Sequence, residues 1–264
     1  MKWRHIQALT LRYLLLYTRS IPRVLEMFFW PVMDLIVWGL VTKYLLSAPF
    51  HVPGIIQFLI GAMILWDILY RAQQGVTLSF LEDVWSRNLI NLFVAPITLT
   101  EFITATFLVG LIRIFLTVLL LAFLASVLYG FSLWNLHWSL LPFFANLLLM
   151  GWSLGLITTA MIIRWGQGAE ALAWAIPFLV QPFCAVFYPV AVLPPWIQPI
   201  AQLIPATHVF EGMRAVLAGK GWDPKAMTLA LGLNAVYAIA AAAFFAWMFR
   251  IALRRALLVK LGTQ

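Results

Sequence analysis

Runs of about 20 apolar residues recur along this chain, each long enough to cross the hydrocarbon core of a bilayer as a helix. Only helices and closed barrels satisfy all their backbone groups in lipid. A barrel needs short segments of alternating polarity, and these runs do not alternate. The expected fold class is therefore an all-α membrane protein. Composition agrees: 64% of the 264 residues are hydrophobic and only 10% are charged, where a soluble domain carries about 25%. A water-soluble domain of this size could not hide so much apolar surface.

Six spans are predicted, at about 27–46, 54–80, 100–128, 139–163, 171–192 and 226–249, within a single transmembrane domain over 1–264. Residues 1–23 read as an interfacial amphipathic helix. At 100° per residue Trp3, Ile6, Leu9, Tyr13 and Leu16 share one arc, while Arg4, His5, Arg12 and Arg19 share another. Pro22 then marks a corner. The stretch 188–214 contains Pro189, Pro194, Pro195, Pro199 and Pro205, so it is too broken to span and too apolar for an ordinary loop. Irregular backbone at membrane depth survives only where protein or a cavity surrounds it, which predicts an outer re-entrant segment.

Cytoplasmic loops carry an excess of Lys and Arg. With six spans, one side holds Lys2, Arg4, Arg12, Arg19, Arg23, Arg87, Arg164, Arg250, Arg254, Arg255 and Lys260. The other holds Lys43, Arg214, Lys220 and Lys225. Both termini and the polar stretch 82–96 are thus expected in the cytoplasm, and 188–214 outside. The net charge of +8 lies beside apolar runs, which favours anionic lipid over nucleic acid as its partner.

No chemistry of its own is evident. Gly219-Lys220-Gly221 lacks the rest of a phosphate-binding loop, there is no H-E-x-x-H, and no Gly-x-Ser-x-Gly elbow occurs. His5, His51, His137 and His208 are scattered, so no metal site is expected, and Cys184 has no partner for an internal disulfide. Asp34, Asp67, Arg71 and Arg113 are embedded in spans. Such residues usually pair and face the protein interior. Asp67 and Arg71 share a helix face at i,i+4 and read first as a structural pair. Asp67 and Arg71 could instead sit on a gate or transport route; Asp34 and Arg113 are also embedded and could pair with each other or with those two, and these few charges could form a proton relay. Gly151 and Gly155 form a GxxxG pair that reads more readily as packing within one subunit than as a dimer contact. Glu211 and Arg214 are spaced for a local clasp on the outer side.

Two stretches resemble a known family. Glu82-Asp83-Val84-Trp85-Ser86-Arg87-Asn88-Leu89-Ile90-Asn91-Leu92-Phe93-Val94-Ala95-Pro96-Ile97 is similar to the segment between the second and third spans of ABC-2-type transporter permeases. Pro189 through Arg214, with Leu193-Pro194-Pro195-Trp196, Leu203-Ile204-Pro205-Ala206-Thr207 and Glu211-Gly212-Met213-Arg214, resembles that family's region before the last span. The resemblance implies a permease subunit of an ATP-binding cassette exporter, not itself an enzyme. A separate ATPase subunit would bind ATP and Mg, and a second permease, identical or not, would complete a dimer in a bacterial inner membrane. It also implies that 82–96 is a coupling helix. Glu82, Asp83, Ser86, Arg87 and Asn88 would make its polar contacts to the ATPase, with Trp85, Leu89, Leu92, Phe93 and Pro96 as apolar anchors. Pro189, Leu193, Pro194, Pro195, Trp196, Pro205, Glu211 and Arg214 would form the outer gate. The cargo would be a polysaccharide, a lipid-linked glycan, a drug or another amphiphile. Two competing classes are an ion-coupled secondary transporter and a membrane-embedded lipid-modifying enzyme.

Overall fold

The computed structural model describes residues 2–47, 54–86, 88 and 95–255. Arg87, Leu89, Leu92 and Phe93 of the expected coupling segment, His51, and Lys260 of the tail lie outside the described residues. Among those described, the chain is helical with no strand: α1 (Trp3–Thr18), α2 (Ile21–Ser47), α3 (Ile55–Trp85), α4 (Leu99–Tyr129), α5 (Leu140–Trp165), α6 (Leu172–Val180), α7 (Gln198–Gln202), α8 (Pro205–Leu217) and α9 (Pro224–Arg254). Short 3-10 turns precede α5 and follow α6.

Among the described residues, five helices, α2, α3, α4, α5 and α9, are long and apolar enough to cross a membrane. The expected fifth span at 171–192 is not one of them. The apolar helix there, Leu172–Cys184, covers about 20 Å by helical rise, short of the ~30 Å hydrocarbon core. Prolines explain the break: Pro177 and Pro182 each remove a backbone donor, and Ala185 turns left-handed at φ 50°.

Contacts fix the helix directions. Gly151 meets Leu69 and Ala72 while Gly155 meets Gln73 and Val76, so α3 and α5 run parallel. Asn146 bonds Asn234, and Leu149, Trp152 and Leu156 flank one groove with Ala238, Ala242 and Phe245, so α5 and α9 are parallel too. Helix α4 runs opposite to α3, crossing it at Gly75 and Gly110, with Phe80 beside Phe102 in one core cluster and Ile60 beside Leu121 in another. Two consecutive long helices that run parallel require the connection between them, residues 166–223, to return from one end of the bundle to the other.

Packing is closest where side chains are smallest. A Cβ on Gly75 would lie 2.6 Å from the Gly110 Cα, so these two glycines set the α3–α4 separation. The Gly151–Gly155 pair seats α5 on α3 of the same chain, as read from the sequence. Helix α3 is the hub, buried almost throughout between Leu59 and Val84.

Helix α3 also runs past the expected end at residue 80, to Trp85. The charges at 82 and 83 suggested an exit from the span. The helix continues because both carboxylates find partners on α1 and α2: Glu82 pairs with Arg23, and Asp83 with Arg12.

Helix α8 is not lipid-facing. Pro205, Ala206, Val209, Phe210 and Met213 are buried, with Met213 near Gly61 and Gly212 against Phe143 and Met227. It is therefore wedged among the first turns of α3, α5 and α9, which is how so interrupted an apolar stretch avoids exposing its backbone.

Candidate functional site

A cavity of about 740 Å³ opens between α2, α3, α4 and α6. Its walls carry aromatic rings, among them Trp30, Trp38, Trp66, Tyr70, Trp174 and Phe187. All four embedded charged residues singled out in the sequence line it. Arg71 Nε donates to Asp67 Oδ2 at 2.8 Å, and both side chains are buried. Asp34 shares their field but is itself exposed on α2. Arg113 does not join this group. Its guanidinium lies 4.5 Å from the centre of the Tyr17 ring, in a second cluster with Arg23 and Glu82, whose nearest atoms are 3.7 Å apart. The cavity thus has two charged levels. They are separated by about 16 Å of helical rise between Arg23 and Asp34 on α2.

Gln73 and Gln74, which the sequence reads as companions of the Asp67–Arg71 pair in a polar end of the helix, fix the far wall. Gln74 Nε2 donates to the Ala173 carbonyl at 2.8 Å, and Gln73 Nε2 reaches the same oxygen at 3.2 Å. They hold the first turn of the short helix α6 against mid-α3. Adjacent Gln residues within an apolar span were the available signal.

The residues expected to couple to an ATPase divide into two sets. Trp85, Ser86 and Pro96 are exposed, and Asn88 is half-buried. Glu82 and Asp83 are buried, so neither presents a free carboxylate to a docking protein in this arrangement. Asp83 is fully enclosed. It accepts hydrogen bonds from the Arg12 guanidinium and the Tyr13 hydroxyl, and one from Asn88 Nδ2 at 3.3 Å. Burial, followed by the Asp83 charge, holds the Tyr13 phenol far above its ordinary pKa, so it stays a donor. At the other side of the 86–98 link, Glu101 accepts from the Lys2 backbone N–H and contacts His5 Nδ1 at 3.1 Å. Glu101 also closes a capping box with Thr98 at the start of α4. Helix α1 is therefore bolted to both ends of the link: the last turn of α3 and the first turn of α4. Its buried stripe is Ile6, Leu9, Tyr13 and Tyr17, whereas Trp3 is exposed.

The other end of the bundle carries the proline-rich stretch. Pro189, Pro194, Pro195 and Trp196 are exposed, Leu193 is half-buried and Pro205 is buried at the start of α8. The expected Glu211–Arg214 pair forms at 2.9 Å and does more than join neighbours. Glu211 Oε1 accepts from the Val190 N–H at 2.7 Å, and Arg214 Nη1 donates to the carbonyls of Ala185 and Val186 at 2.9 and 3.3 Å. Together they clasp the turn at 185–190 onto α8. Among the described residues, no three His, Cys, Asp or Glu side chains converge as metal ligands.

The family model described as ABC-2 type transporter matches residues 4–218 of this chain. That region contains all but the first residue of α1, all of α2 to α8, both charged levels of the cavity and the clasp. Comparison with curated proteins gives no match.

Proposed function

Because this chain belongs to the ABC-2 type transporter family, we propose that it is the permease subunit of an ATP-driven exporter and that the aromatic cavity is its substrate route. The observation that carries this reading is the position of Asp34. It stands exposed midway along an apolar helix, on the open side of a 740 Å³ cavity. A carboxylate at that depth cannot face acyl chains; it needs water or another protein surface. A second permease closing over α2 and α6 supplies both, by enclosing a wet route between the two copies.

The parallel run of α5 and α9 supports a sixth crossing made by the broken stretch around α6, with both termini and the 82–96 link on the cytoplasmic side. The excess of Lys and Arg at that end supports the same orientation. Helix α8 then dips in from outside as a re-entrant gate element. The 82–96 link docks in a separate ATPase that binds ATP and Mg. Trp85, Ser86, Arg87, Asn88 and the residues to Pro96 form the contact surface. Glu82 and Asp83 act behind it, tying its motion to α1 and α2. Two rigid arrangements of this bundle, alternately open to each side, would complete transport. Deleting the ATPase partner should abolish export; undiminished export after every candidate ATPase is deleted would refute the reading. Asp34 and Asp67 favour one rival, proton-coupled flux. It would be recognised by transport that stops when the proton gradient is collapsed at constant ATP.

A further inference from the structure

Arg113 is more than nine-tenths buried, yet its Nε and Nη1 have no hydrogen-bond partner. No carboxylate forms an ion pair with it among the described residues. A buried guanidinium with unbonded donors is costly, and the Tyr17 ring beneath it together with the field of Glu82, which Arg23 shares, recovers only part of that cost. Around it, Arg23 and Arg113 bring two positive charges against the single charge of Glu82, one of whose oxygens is also unpartnered. The other charged level, with Asp34, Asp67 and Arg71, carries a net negative charge, and Glu26, one turn from Arg23 on α2, also lines the cavity. The orphaned donors thus sit at the pole of the cavity that Trp85 also lines.

We propose that Arg113 and Arg23 form a binding site for a phosphate group, the head of an amphiphilic substrate whose apolar body lies along the aromatic wall. This rests on the cavity being the transport route. A guanidinium presents planar donors that match phosphate oxygens two at a time, and two of those on Arg113, Nε and Nη1 on different edges of the group, have no partner within the protein. A phosphate at this end of the cavity would compensate the charge of the Arg113 guanidinium that lines it. Its apolar portion would point toward Trp30, Trp66 and Phe178, all lining the same space.

The test uses the full chain in nanodiscs, with intrinsic tryptophan fluorescence as readout. Probes are dodecyl phosphate, inorganic phosphate and uncharged dodecyl maltoside. Dodecyl phosphate should bind saturably, at least tenfold more tightly than dodecyl maltoside. Arg113→Gln should weaken it by about 10- to 100-fold, with Arg113→Lys intermediate and Arg23→Gln weakened less. Because buried donors of Arg113 are unbonded in the empty protein, Arg113→Gln should also raise the melting temperature of the ligand-free chain; a merely structural arginine would lower it. If inorganic phosphate binds as tightly as dodecyl phosphate, the site takes a free anion rather than a headgroup. Equal binding of dodecyl phosphate to wild type and Arg113→Gln would overturn the proposal while leaving the route intact. Failure of every amphiphile to bind would instead remove the route.

Discussion

Replacing Asp83 with alanine should release α1 from the end of α3. The carboxylate is wholly buried and is bonded by Arg12, Tyr13 and Asn88. Losing a charge-assisted bond costs about 1.5–3 kcal/mol, and stranding the buried Tyr13 hydroxyl costs a further ~1–3 kcal/mol. Arg12 is partly exposed and can turn to water, so the lower half of that sum applies. We expect about 3 kcal/mol, a factor of more than 100 in the equilibrium. Because α1 is peripheral, the loss should appear mainly as local opening of that helix rather than as global unfolding. Hydrogen exchange of the α1 amides in nanodiscs would measure it, with α5 amides as internal reference. Tyr13→Phe should cost about 1 kcal/mol, since Asp83 keeps Arg12. Unchanged α1 protection in Asp83→Ala, to within about 0.5 kcal/mol, would mean that the clasp does not hold α1.

Five further variants test the packing. Gly75→Ala places a methyl against the Gly110 backbone and should destabilise the bundle by about 1–3 kcal/mol. Gly232→Ala, which meets nothing within 4 Å on α9, should be neutral or slightly stabilising; SDS titration of both in mixed micelles checks the contrast. Asn234→Leu breaks the buried bond to Asn146 between α5 and α9 and should cost about 0.6–1.7 kcal/mol in the same titration. Ala185→Gly relieves a left-handed alanine and should stabilise by about 1 kcal/mol, whereas Arg214→Ala should expose the 185–190 turn to proteolysis.

Much of this fold was legible because lipid leaves few alternatives: the apolar runs at 27–46, 100–128, 139–163 and 226–249 each became one long helix. The reading failed where side chains across the bundle decide the outcome. Glu82 and Asp83 looked like the polar exit of α3 because nothing local reveals that Arg23 and Arg12 wait opposite them. The 171–192 run reads as a span by hydropathy, but hydropathy cannot weigh what Pro177 and Pro182 do to backbone continuity, so the crossing proposed there is a broken one. Asp67–Arg71 and Glu211–Arg214 were readable, since helical spacing alone makes them neighbours. Arg113 beside Tyr17 depends on where α1 crosses α4, and sequence spacing holds no record of that.

The central claim is that this bundle borrows its driving force through the 82–96 link. The most direct test is affinity capture of the full chain from its native membrane, comparing wild type with Trp85→Ala/Arg87→Glu. The account predicts that wild type brings down a protein with a phosphate-binding loop and vanadate-sensitive ATP hydrolysis. The double variant should insert normally and lose both. Capture of that ATPase at wild-type levels by the double variant would contradict it.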